Sequence, residues 1–208
     1  MSAMSIGQRD KKMSDDVIRF RGTLDAETDR GCALMAAAYL DSLLEKLIRA
    51  SLIADTKKAD ELLGKSKPLG TFSSRIDLAH LLGHISKSEH RDLQLIRKIR
   101  NVFGHTSNPL DFRNPPIQAR CRELYHSFLK EDARPRRRFT NAVVGLAARI
   151  RVYIYYTERP KIRADLNPDY KEAVRKIAET NAFKTPLSEL KKLASQKSTR
   201  AGSHKRCR

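Results

Sequence analysis

The residues of this chain best suited to chemistry sit together in Ile99-Arg100-Asn101-Val102-Phe103-Gly104-His105. An imidazole titrates near neutrality and can take the proton of a 2′-hydroxyl, while a guanidinium stabilises charge building on a phosphate. Arg100 and His105, with Asn101 beside them, are therefore the catalytic candidates, for phosphodiester chemistry without a metal. Asn101 and His105 are four apart and share a helix face. Arg100 falls roughly 140° round from His105 on a regular helix. The pair meets only if the helix loosens at Gly104 or a second copy of the chain supplies one member. The same side chains have structural uses: Arg100 can pair with Asp41 or Asp77, and Asn101 and His105 can bond the free carbonyls of a helix end.

A second candidate is Pro68-Leu69-Gly70-Thr71-Phe72-Ser73-Ser74-Arg75-Ile76. It sets hydroxyls and a cation at a helix start, where free amides attract anions. Thr71, Ser73 and Arg75 are the expected ligand- or phosphate-binding residues, facing the Arg100–His105 helix end across a pocket. The competing reading makes the hydroxyls caps and Arg75 a surface charge. His80, His84 and His90 lie about a tight turn, but no HExxH pattern accompanies them, and surface or turn positions are expected. There is no glycine-rich phosphate loop, no GxSxG and no Cys–His nucleophile pattern. No cofactor and no metal is called for.

Charge points to partners. Lys and Arg number 42 against 24 Asp and Glu, a formal net charge of +18. That favours anionic partners, nucleic acid first, then acidic proteins or membranes. Two basic clusters carry much of it. Arg134, Arg136, Arg137 and Arg138 are expected between two helices; Lys191, Lys192, Lys197, Arg200, Lys205 and Arg206 lie in an acid-free end. Both are candidate nucleic-acid contacts, although charge alone carries no sequence readout. No stretch reaches the roughly 20 apolar residues of a membrane span. The start of the chain has no apolar signal core. Cys32 and Cys121 read as buried thiols in apolar helical surroundings, and a reducing cytoplasm is expected.

The elements positioning these residues are helical. Apolar residues recur at three- and four-residue steps, and nothing alternates with period two for long enough to make a sheet. The expectation is an all-α bundle of five to seven helices with a basic C-terminal extension. Residues 1–22 read as a loose segment and 23–158 as the helical domain. Residues 159–194 read as accessory helices beginning at Asn167-Pro168 and Thr185-Pro186, and 195–208 as a disordered basic tail. Within the domain, one helix is expected from about Asp25 to Ile53, capped by Asp25 or Thr23, and a short one over Asp55–Leu63. Others are expected from Thr71 or Ser73, from the Ser86–Glu89 capping box to near Gly104, and from Pro115-Pro116 with Ile117, Cys121, Leu124 and Phe128 inward. The last starts near Phe139 or Thr140.

From about Asp29 to Pro116 the chain resembles the mannitol operon repressor family. The likeness is carried by Asp29-Arg30-Gly31, by Ala36 to Asp41 and Leu44 to Leu47, by Pro68 to Ile76, and by Asp92 to Asn101 with Phe103 and His105. It implies an all-helical protein linked to repression of a sugar-alcohol operon, with nucleic acid or another transcription regulator as partner. The Arg-Asn…His spacing is also similar to the motif of HEPN-type ribonucleases, helical proteins in which two subunits join their motifs. That likeness implies a homodimer and, as an alternative function, metal-independent RNA cleavage. A helical protein-interaction module is the third reading. Family patterns often have Ala where this chain has Gly104, so a looser helix end is expected here.

Overall fold

The computed structural model describes residues 6–130, 133–165 and 168–179, with side chains from 15 onward apart from those of 168 and 178. Among them are eight α-helices, one 3-10 turn and no strand. The first compact unit ends at Lys161, and the described residues from Ile162 onward belong to a second.

The first unit begins with α1 (Ile6–Ala26), where a loose segment was expected. Val17, Phe20 and Leu24 follow helical spacing, sparse but sufficient. Leu24 is fully buried, and Phe20 stacks on Tyr39 with ring centroids 3.8 Å apart. Asp16 is paired to Arg151 of the last core helix at 2.5 Å. The chain breaks before α2 (Asp29–Ser51), whose N-cap is Thr28 rather than Asp25 or Thr23; its hydroxyl accepts the Gly31 amide. Cys32, Ala33, Ala36, Leu40, Leu44 and Leu47 form the buried stripe of α2. Its small residues admit neighbouring helices closely.

Helix α3 (Thr56–Leu63) is capped by Asp55. The following loop turns on itself through backbone bonds from Lys67 to Gly64, Leu69 to Leu62 and Gly70 to Lys67. A Cβ at Gly70 would lie 2.1 Å from the Gly64 carbonyl oxygen, so only glycine fits that approach. Helix α4 (Phe72–Leu81) starts in a Thr71–Ser74 capping box, and α5 (Lys87–His105) in the Ser86–Glu89 box. Such a cap contributes about 1 kcal/mol.

Helix α6 (Pro115–Glu123) ends one turn earlier than the sequence pattern implied. The buried carboxylate of Asp92 accepts the backbone amides of Tyr125 and His126 at 3.2 and 2.8 Å, drawing the chain into a 3-10 turn. Phe128 then adopts φ 48° and is 74% exposed, so it does not point inward. Helix α7 (Pro135–Tyr156) begins four residues earlier than expected, with Pro135 supplying the N1 position. It buries Phe139, Val143, Leu146 and Ile150 against α2 and the rest of the core. No described helix is long and apolar enough to cross a membrane.

In the second unit, α8 (Pro168–Glu179) is the described accessory helix. Ion pairs Lys176–Glu172 and Arg175–Glu179 run along it. The expected helix start at Thr185-Pro186 and the whole basic tail lie outside the described residues.

Candidate functional site

The capped start of α4 and the C-terminal part of α5 do face each other. Between them and the floor formed by α2 is an open groove of about 680 Å³. Leu34, Ala37 and Ala38 give it an apolar base, and Thr71, Phe72 and Ser73 form one wall. Arg97, Arg100 and Asn101 form the other, and Lys65 also lines the groove. Residues 97, 100 and 101 share a helix face by their three- and four-residue spacing. Arg97 was the member missed in the sequence.

The groove's cations are not neutralised by ion pairs. Arg97 donates to the neutral Gln94 side chain at 2.8 Å. Arg100 donates to Asn101 Oδ1 at 3.1 Å. Neither they nor Lys65 forms a salt bridge among the described residues. Asp41 also lines the groove, and its carboxyl is pushed above the ordinary aspartate range. Burial is the largest cause, opposed by the hydrogen bond and charge of Arg75, raised by Glu45 and lowered again by Arg100.

Arg75 is neither a groove residue nor a surface charge. Its side chain is 5% exposed and ion-paired to Asp41 and Glu45, both at 2.8 Å. It also donates to the Leu63 carbonyl at 2.7 Å. It ties the start of α4 to α2 and to the end of α3, which leaves Nη1 and Nη2 engaged and only the buried Nε without a partner. Helix periodicity places Arg75 one turn into α4 but cannot name acids 30 and 34 residues upstream, and that is why it read as a ligand contact.

His105 is not in the groove. Helix α5 stays regular through Gly104 to His105, so the geometry leaves Arg100 and His105 on different faces. Both are exposed. The loosening expected at Gly104 does not occur. The α5 end is held instead by Arg30, which donates to the Thr106 and Asn108 carbonyls at 2.7 and 3.1 Å. Asn101 and His105 were among the residues that could have done so, and no local pattern marks a partner 76 residues away.

The basic cluster before Phe139 divides in two. Arg136 is paired to Asp29 at 2.6 Å and donates to the carbonyls of Leu24, Asp25 and Glu27, closing the α1–α2 corner. Arg138 is buried and donates to the carbonyls of Cys121, Arg122, Leu129 and Lys130. These two are structural. Their place in the first turn of α7, rather than in a linker, turns them inward. Arg134 and Arg137 are exposed and carry no ion pair among the described residues. Lys191, Lys192, Lys197, Arg200, Lys205 and Arg206 lie outside the described residues.

The histidines resolve into local bonds. His90 meets Asp77 at 2.8 Å, His80 Nδ1 the Ile85 carbonyl at 3.1 Å, and His84 the Ser51 hydroxyl at 2.5 Å. Burial holds the His84 imidazole below its ordinary range. His126, which sequence reading passed over, is buried against Asp92 at 2.9 Å. Among the described residues no three His, Cys, Asp or Glu side chains gather as metal ligands. Cys32 and Cys121 are buried, and burial pushes the Cys121 thiol up to about 12.

No family model matches the chain, and no curated protein matches it significantly in sequence. A solved structure does match in three dimensions: the MtlR–HPr complex from Escherichia coli, at a TM-score of 0.56 and 21% identity. The match covers 64% of this chain and 97% of the other. The chain shares its fold with MtlR. At that identity the MtlR likeness establishes the helical layout. It does not carry over the chemistry of any side chain. It spans nearly all of the MtlR chain, so the additional length here lies outside the shared MtlR core.

Proposed function

We propose that this chain is a transcription-regulating protein that works by binding, with nucleic acid or another regulator as its partner. The observation that carries the reading is the fold shared with MtlR, whose structure was solved with a second protein, HPr, in the complex. Two features support it. The net charge of +18 suits an anionic partner. At the start of α7, Arg134 and Arg137 remain exposed while their neighbours Arg136 and Arg138 are consumed by the fold. Arg134 and Arg137, with the tail cations Lys191, Lys192, Lys197, Arg200, Lys205 and Arg206, are the contacts this reading assigns to phosphates.

The test is the salt dependence of binding to labelled mixed-sequence duplex DNA and to RNA, followed by anisotropy. Each phosphate neutralised contributes about 0.9 to the log–log slope. Changing the six tail cations to Gln should flatten the slope by up to about five. A slope that the substitutions leave unchanged refutes the assignment. A protein with no nucleic-acid affinity at low salt would be a regulator- or protein-interaction module instead.

A second reading, a metal-independent ribonuclease of HEPN type, has one specific observation in its favour. Arg100 and His105 are both exposed at the same end of α5. One chain does not bring them together, so this reading requires a homodimer in which a second copy completes the site.

A further inference from the structure

We propose that the groove between α2, α4 and α5 binds a small hydroxylated phosphate monoester. This goes beyond the macromolecular binding proposed above and does not depend on it.

Arg75, Arg136, Arg149 and Arg151 are each matched to a carboxylate at 2.8 Å or less, and buried Arg138 is held by four backbone carbonyls. Arg97 is half-buried and makes a single bond, to a neutral amide. Arg100 bonds only the neutral side chain next to it, and Lys65 lines the same groove. Three cations thus converge on one concavity of about 680 Å³, within the range of ordinary ligand pockets and far larger than a lone ion needs.

The opposite wall supplies neutral donors. The Thr71–Ser74 capping box uses the Ser74 amide, which leaves the Phe72 and Ser73 amides of the first turn without a described acceptor. The Ser73 hydroxyl likewise has none. Phosphate oxygens match this set: guanidinium and ammonium on one side, hydroxyl and helix-start amides on the other.

Asp41 decides what else the ligand carries. A bare anion would be repelled by it. Its Oδ1 is taken by Arg75, while Oδ2 has no hydrogen bond among the described residues and Asp41 lines the groove. A carboxylate oxygen in that position accepts hydroxyl protons. Leu34, Ala37, Ala38 and Phe72 offer the apolar surface against which a carbon skeleton or ring can lie. A sugar phosphate and a nucleoside monophosphate share the required chemistry.

The test is calorimetric titration of the full chain at fixed ionic strength. Ribose 5-phosphate and AMP are the phosphorylated probes, ribose and adenosine their unphosphorylated counterparts, and sulfate the competing anion. Saturable binding of at least one phosphorylated probe, absent for its counterpart, is expected. Arg97→Gln and Arg100→Gln should each weaken it about tenfold or more, the weight of one charge-assisted bond. Lys98→Gln removes a neighbouring charge of α5 outside the groove and should change affinity by no more than about twofold. Equal binding of both probes would mean that the sugar phosphate suffices; preference for AMP would mean a nucleotide. Three results overturn the proposal: no saturable binding of either probe, equal competition by sulfate, or equal loss in Lys98→Gln. Each leaves the nucleic-acid titration to be judged separately.

Discussion

Replacing Arg75 with Met tests whether the buried guanidinium organises the corner that shapes the groove. Met keeps much of the aliphatic stem and removes the ion pairs to Asp41 and Glu45 and the bond to the Leu63 carbonyl. Breaking a fully buried pair costs about 3–5 kcal/mol. Here the carboxylates are 28% and 30% exposed and can recover some hydration, while the Leu63 carbonyl loses a bond. The net expectation is a loss of about 2–4 kcal/mol, read by urea denaturation with far-UV circular dichroism. The loss should depend on pH in a defined sense. Asp41 already stands above its ordinary value of 3.8, burial outweighing Arg75. Without Arg75 it rises further, so the folded state holds a proton that the unfolded chain has released. Stability then falls as pH rises through that window and recovers as pH is lowered through it. The variant's deficit should therefore be larger near neutrality than in mild acid, and Asp41→Asn in the Arg75→Met background should restore part of it. A loss below about 1 kcal/mol refutes the assigned role. So does a deficit that grows on acidification.

Two further substitutions probe the helix ends. Gly104→Ala should stabilise the protein by about 0.4–1 kcal/mol, because the helix is regular there and helix propensity rises. The added Cβ would meet Leu34 Cδ2 at an ordinary 3.7 Å. Thermal denaturation checks it, and a lower midpoint would mean the helix end is not as described. Leu24→Ala should cost about 2–4 kcal/mol in urea denaturation, because Leu24 is fully buried in the core. A neutral effect would mean that α1 does not dock.

The fold class was legible because α2, α4, α5 and α7 write their apolar stripes plainly. Thr71 and Ser86 mark the starts of α4 and α5, whereas the starts of α2 and α7 were misplaced by three residues or more. What was not legible depends on partners distant in sequence. Arg136 looked like a member of a basic cluster until Asp29, 107 residues away, took its charge. Arg138 looked equally free until four carbonyls of the α6–α7 connection claimed its donors. Arg75 was placed at the right helix start for the wrong reason. Phe128 followed the α6 periodicity, but Asp92 ends the helix before the pattern does. The groove itself was anticipated from a helix start meeting a helix end. Its composition was only half read: Thr71, Ser73, Arg100 and Asn101 line it and His105 does not, Lys65 and Arg97 had not been singled out, and Asp41 had been named only as a pairing partner for Arg100.

We propose that this chain acts by binding and not by cutting. The most direct measurement is incubation of the purified protein with mixed cellular RNA in EDTA, beside an Arg100→Ala/His105→Ala double variant. With the two side chains on different faces of an unbroken helix, intact RNA is expected in both lanes. Cleavage by the wild type and not by the double variant would contradict the account and make this chain a metal-independent ribonuclease.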